Sequence, residues 1–164
     1  MQKILYTVIV LFIAVTSAVS QVRVGGMLGY GSEVEQLGIG VNAEFHINDK
    51  MSLAPNLFFY LPEKTGGVKL SYWELNADFH YYFLSADVIG LYGLGGLNLT
   101  TAKFKADDTF LNGREDSHSE LGLNLGLGAN FDLGTVIPFA ELKYVAGDAD
   151  QAVVFFGVKV PIGD

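Results

Sequence analysis

Between Glu120 and Leu133 apolar and polar positions alternate without a break. Leu121, Leu123, Leu125, Leu127, Ala129, Phe131 and Leu133 take one side, and Gly, Asn, Glu and Asp take the other. Period-two alternation marks a strand whose two faces meet different surroundings. The run exceeds an ordinary globular strand of about five or six residues and fits the roughly 9 to 11 tilted residues that cross a bilayer. The same pattern predicts eight strands: Val22–Tyr30, Leu37–Ile47, Met51–Tyr60, Val68–Phe83, Val88–Thr101, Glu120–Leu133, Ile137–Ala146 and Ala152–Val160. Eight is an even number and matches the smallest bacterial barrels.

The two faces differ in kind. Val41, Ala43, Phe45, Ile47, Leu53, Leu57, Phe59, Trp73, Leu75, Ala77, Phe79, Tyr81, Phe83, Ala140, Leu142, Tyr144, Val154, Phe156, Val158 and Val160 form the apolar set, expected to face lipid. The opposite set is rich in Gly and carries His46, Asn76, His80 and Tyr82 with charges of both signs. An eight-stranded barrel encloses only enough room for side chains, so this face should pack and pair internally without leaving an open pore. The expected polar network of the lumen is Arg23, Glu44, Glu74, Asp78, Asn124, Glu141, Lys143 and Lys159. Arg23, Glu44, His46, Asp132 and Lys159 should lie near the rim that holds the chain ends. Glu74, Asn124, Glu141 and Lys143 should lie nearer mid-height, with Lys143 pairing Glu74 or Glu141.

Connections alternate in length. Asn48-Asp49-Lys50, Leu84–Asp87 and Gly134-Thr135-Val136 are tight, while three of the other four are longer and more polar; Gly147–Gln151 is the short exception. Short periplasmic turns and longer outer loops, with both termini periplasmic, fit an up-and-down meander. In the longest, Ala102–Ser119, the charged residues Lys103, Lys105, Asp107, Asp108, Arg114, Glu115 and Asp116 surround Phe104, Phe110 and Leu111, with Asn112-Gly113 as a hairpin signal. This segment is expected to project as a ribbon that contacts another surface, or that bridges lipopolysaccharide phosphates through cations held by its carboxylates. The plainer reading is a solvated loop, since loops are polar by default.

The first twenty residues read as a secretory leader: Lys3, the apolar Ile4–Val15, then Ala18-Val19-Ser20 before cleavage, which leaves a single domain over residues 21–164. Its apolar stretch is too short for a membrane-spanning helix. The chain has no cysteine, which excludes a lipobox, a disulfide framework and a thiol nucleophile. Formal net charge is −8, or −9 once Lys3 leaves, so no basic footprint for nucleic acid is present.

Two segments carry a family likeness. Gly90-Leu91-Tyr92-Gly93-Leu94-Gly95-Gly96-Leu97-Asn98 and Pro138-Phe139-Ala140-Glu141-Leu142-Lys143-Tyr144 resemble strands of the OmpA/OmpX-like outer-membrane barrel superfamily, where Tyr-x-Gly-x-Gly and Pro-aromatic-Ala-Glu-x-Lys/Arg-Tyr recur. The resemblance implies an all-β, eight-stranded antiparallel barrel in the bacterial outer membrane of a Gram-negative envelope. It also implies insertion by the barrel-assembly machinery and an adhesive, protective or structural role. Such a chain is expected to be a monomer among outer-membrane lipid and lipopolysaccharide, with no enzymatic activity, cofactor or metal. One departure is the end, Val160-Pro161-Ile162-Gly163-Asp164, where family members commonly carry a terminal aromatic.

Other readings use the same residues. A soluble lipocalin-like barrel would exchange the faces and hold an apolar ligand inside. A mean hydropathy of +0.33 and only 17% charged residues argue against a wetted outer face. A lipid-modifying enzyme would need a nucleophile beside an oriented base, and Ser71 with His118 and Glu120 offers a loose version on non-adjacent strands. Gly38-Ile39-Gly40-Val41-Asn42-Ala43 matches a dinucleotide fingerprint but lacks the helix that motif requires, and Asn98-Leu99-Thr100 is a chance sequon. His46 and His80 both face inward without a clustered third metal ligand.

Overall fold

The computed structural model describes residues 21–65, 68–106, 115–147 and 150–162, with 63–65, 68–70, 104–106 and 115–116 described by backbone path alone. The expected leader and the segment 107–114 lie outside them, and with it Asp107, Asp108, Arg114 and the Asn112-Gly113 signal. Among the described residues nine strands are present: β1 (Gln21–Gly31), β2 (Gln36–Asn48), β3 (Met51–Tyr60), β4 (Glu63–Thr65), β5 (Val68–Ser85), β6 (Ile89–Ala106), β7 (Glu115–Phe131), β8 (Ile137–Ala146) and β9 (Gln151–Ile162). β3 and β4 both pair β5, one after the other along its length, and so make one stave interrupted at Leu61-Pro62. Each stave pairs antiparallel with the next along the chain, and β1 pairs β9, closing an eight-stave up-and-down barrel.

Closure follows from the alternation. A sheet with one apolar and one polar face leaves costly edges open unless it curls shut, and in a membrane only closed barrels and helices satisfy every backbone group. The tight connections 49–50, 86–88 and 132–136 gather at one end with the start of β1 and the end of β9. At the opposite end, the loop end, β1 and β2 are joined by four residues only. Gly134 takes φ +86°, a left-handed value that a side chain would strain.

The apolar set faces outward. Leu121, Leu125, Leu127, Val41, Phe83, Leu142 and Phe156 are all more than half exposed, with Leu121 at 77%. A water-soluble surface does not carry such a continuous apolar belt. The exchange of faces that a lipocalin-like barrel needs therefore does not occur. Phe45 departs from its group: it shares the outward register yet is buried, standing between Val22 on β1 and Leu53 on β3.

Inside, the lumen is less polar than the sequence suggested. Met27, Phe58, Tyr60, Phe139, Val145, Val153 and Phe155 form one buried cluster, and Tyr82, Tyr92 and Leu94 form a second. Glycines on the inner face make room for these rings. A Cβ at Gly29 would fall on the Phe155 and Phe58 rings, and one at Gly128 would fall on Tyr92. A narrow barrel holds aromatic side chains only where facing positions give up their own.

Three strands outrun the rest. β8 ends opposite Leu123, so residues 115–122 of β7 continue beside β6 alone, up to about 25 Å further along the strand. β5 keeps pace, pairing β6 as far as Val68↔Ala106 and β4 through Lys64↔Lys69. The projecting part of the 102–119 segment is thus strand up to Ala106 and from Glu115, well beyond the expected strand ends at Thr101 and Glu120.

Candidate functional site

The inner positions of the barrel build a column of polar contacts in layers. At the turn end Arg23 Nη2 lies 3.3 Å from Asp132 Oδ2, a pair that bridges β1 and the connection after β7. One layer deeper sits Glu44, fully buried on β2. It accepts from Ser52 Oγ (2.6 Å), from Lys159 Nζ (2.8 Å) and from the Tyr82 hydroxyl. Asn130 in turn donates to the Tyr82 hydroxyl at 2.6 Å. Both inward histidines approach this carboxylate, His80 at 3.5 Å and His46 at 3.8 Å. No group of three or more carboxylate, imidazole or thiol side chains among the described residues is arranged to hold a metal.

Above Glu44, His80 stacks on Tyr92 at 4.3 Å between centroids, and the Tyr92 hydroxyl donates to Glu141 at 2.6 Å. Lys159 lies over the Phe139 ring at 4.4 Å, so its charge is met by a carboxylate on one side and a π-face on another.

At mid-height four asparagines cross four staves in a belt. Asn76 donates to Asn56 (2.9 Å), and its own Oδ1 accepts from Asn98 (2.8 Å), Asn124 (2.8 Å) and Lys143 (2.9 Å). Asn124 also donates to Asp78 at 2.6 Å. The register dictates much of this, because Asn56, Asn76 and Asn98 stand directly opposite one another on β3, β5 and β6. Nearer the loop end Glu74 accepts from Tyr60 (2.8 Å) and Gln151 (2.6 Å), with Lys143 Nζ 3.9 Å away.

All eight residues singled out for the lumen lie in this column, though not as one network. Arg23 and Asp132 form a separate rim pair, whereas Glu44 with Lys159, and Glu74 with Asp78, Asn124 and Lys143, are sealed inside. Sequence reasoning placed Tyr82 on the inner face but gave no partner to it, to Tyr92 or to Tyr60. Tyr82, Tyr92 and Tyr60 each give a hydroxyl proton to one lumen glutamate, Glu44, Glu141 and Glu74 respectively. Their inward parity was the available signal. Gln151 and Ser52 were passed over, and Asn98 was read as part of a family-like segment and a chance sequon, not as a lumen contact.

Of the outer-segment residues, Lys103 is exposed on β6. Lys105 stands opposite Glu115, and Asp116 opposite Phe104, in the β6–β7 ladder. His118 and Glu120 are 3.2 Å apart and in contact with solvent, but Ser71 lies on β5 with β6 between, so no nucleophile–base pair forms there. The Gly38–Ala43 fingerprint runs through β2 with no helix.

A closed antiparallel barrel with an apolar outer belt and a polar, buried interior defines a membrane-spanning β-barrel protein. The family model of the outer membrane protein beta-barrel domain matches residues 5–145, and the chain belongs to that family. Among solved structures, Neisserial surface protein A is similar at 18% identity and TM-score 0.65, over 85% of this chain and 95% of that one. Ail, the attachment invasion locus protein of Yersinia pestis in complex with the heparin analogue sucrose octasulfate, is similar at 16% and TM-score 0.64, over 87% and 97%. The N-terminal β-barrel domain of Pseudomonas aeruginosa OprF is similar at 14% and TM-score 0.59, over 87% and 97%. At such identities the likeness is one of fold. No curated protein matches the chain. The protein is therefore an outer-membrane β-barrel.

Proposed function

We propose that this barrel is closed to solutes and acts through its loop end as a surface-contact or protective protein of the envelope, neither an open porin nor an enzyme. The observation that carries this reading is the buried column: Glu44, Glu74, Asp78, Lys143 and Lys159 are each at most 1% exposed. Side chains this well sealed leave no aqueous path between the ends, and moving them apart would strand buried charges. The projecting strands β5, β6 and β7 then supply the surface on which a partner is met.

In this reading the leader directs export, the barrel-assembly machinery inserts the mature chain, and the turn end with both termini faces the periplasm. The protein works as a monomer in lipid and lipopolysaccharide. Reconstitution into planar bilayers tests the closed lumen: no steady conductance is expected, and long-lived open steps would overturn it. Deleting residues 107–116 tests the loop-end role. Altered adhesion or envelope permeability is expected; a fully folded deletion variant with neither effect would remove it.

A further inference from the structure

The lumen opens at the turn end into a vestibule of about 210 Å³, closed below by the buried Glu44 and Lys159. Each of the three tight connections sets one aspartate at its mouth: Asp49 between β2 and β3, Asp87 between β5 and β6, and Asp132 after β7. Arg23 is taken by Asp132, and among the described residues lining the vestibule there is no other Lys or Arg. Asp49 and Asp87 are exposed and make no hydrogen bond or ion pair with another described residue. Two carboxylate charges are thus left uncompensated at the mouth.

Deeper in, the wall offers acceptors. Asn130, only 3% exposed, donates its amide nitrogen to the Tyr82 hydroxyl at 2.6 Å, and that hydroxyl has already given its proton to Glu44. Because the ion-paired Glu44 can only accept, the direction of both bonds is fixed, and the amide oxygen of Asn130 is left without a donor. His46 turns Nε2 toward Glu44, 3.8 Å away, which leaves Nδ1 as a lone pair that is also buried and unpartnered. A buried acceptor without a donor is costly, and this one cavity has two.

We infer that the vestibule binds a short aliphatic diamine, whose ammonium groups donate to the Asn130 oxygen, to His46 Nδ1 and to the unpaired Asp49 and Asp87. The spare groups are all acceptors, which rules out an anion, and an ammonium brings three donors and no acceptor of its own. Two uncompensated carboxylates call for two positive charges. A metal ion would need its ligands on one point, and among the described residues no three carboxylate or imidazole groups converge so; a diamine spreads its charges along a chain. The cavity holds about seven water volumes at roughly 30 Å³ each, too little for a drug-sized ligand but room for a few methylenes. The vestibule lies at the opposite end from the projecting strands, so the inference stands apart from the loop-end role and uses the proposed orientation only to say which compartment supplies the amine.

The protein, isotope-labelled and extracted from membranes into a maltoside detergent, is titrated with diaminobutane at low salt while the side-chain amide signal of Asn130 is followed by NMR. A saturable shift at Asn130 is expected, with none at Asn56, which is sealed at mid-height. The Asp49→Asn/Asp87→Asn variant changes two exposed turn positions and should keep the unboiled gel mobility of the parent. Its apparent Kd should be weaker by about tenfold, since one exposed ion pair is worth up to about fivefold. Butylamine, with a single charge, should also bind about tenfold more weakly than the diamine, and magnesium chloride should leave Asn130 unmoved. Absence of a saturable shift at Asn130 would overturn the inference. So would a diamine affinity that survives the double substitution, or butylamine or magnesium acting as well as the diamine.

Discussion

Lys159 Nζ lies 2.8 Å from Glu44 Oε2 with the two side chains 1% and 0% exposed, joining residues 115 positions apart. A buried pair of this kind adds little over a well-packed apolar pair, but removing one member strands the other. Lys159→Met should therefore destabilise the barrel by about 3–5 kcal/mol, and adding Glu44→Gln should recover part of that loss. Urea titration in lipid vesicles, followed by Trp73 emission, measures both. Additive losses would show that the two groups are not coupled.

Asn76 Oδ1 takes three donors at once, from Asn98, Asn124 and Lys143. Asn76→Ala leaves buried donors without an acceptor, at about 1–3 kcal/mol each where no other acceptor comes within reach. Asn98→Ala, which removes one of those donors and leaves the acceptor in place, should lose less. The same titration ranks the two variants, and the opposite order would disprove the role given to the oxygen.

Gly128 and Gly93 face opposite sides of the wall. A Cβ at Gly128 meets the Tyr92 ring, whereas one at Gly93 meets nothing within 4 Å. Gly128→Ala should lose about 1–3 kcal/mol by overpacking and should displace the Tyr92 hydroxyl from Glu141. Gly93→Ala should be neutral or gain up to about 1 kcal/mol from the less flexible unfolded chain. Equal stability of the two variants would contradict the assignment of faces.

Leu125 is 70% exposed at the middle of β7, while Ser117 lies on the same face past the apolar band. Leu125→Lys should cost about 2–4 kcal/mol at the bilayer midplane and lower the yield of heat-modifiable, SDS-resistant barrel on gels. Ser117→Lys should leave that yield unchanged. A similar yield from both would place the band elsewhere.

In the short β8–β9 connection the Gly147 amide donates to Asp150 Oδ1 at 2.7 Å and the Tyr144 hydroxyl donates to Oδ2 at 2.9 Å. These bonds, the Gly147 amide first, hold the Asp150 carboxyl below the usual aspartate range. With the folded value lowered, the clasp contributes fully above the unfolded value and is lost as pH falls through the folded one. An NMR titration of the Asp150 carboxyl carbon should show its midpoint below that of an unstructured aspartate, with Gly147 amide exchange accelerating in the same window. A midpoint at the ordinary value would mean that the clasp does not form in solution.

Alternation alone located all eight staves within a few residues, and its apolar half named the lipid-facing positions. That worked because a strand's side-chain period is two whatever surrounds it. It ran short at β6 and β7, where polar residues on both faces end the alternation but not the pairing: Lys105↔Glu115 still stand opposite in the ladder. Phe45 escaped it as well, since parity says which side a residue takes and not how closely Val22 and Leu53 flank it.

The amino-acid sequence by itself determined the number of staves, the tight and loose ends, the two faces and the family, because each rests on local order along the chain. Only the tertiary structure decided which inward groups meet. Glu44 reaches Lys159, Tyr92 reaches Glu141 and Asn124 reaches Asn76 because closing β1 on β9 and β3 on β5 sets one stagger for the whole barrel. That stagger is a property of the closed ring, which no single strand contains.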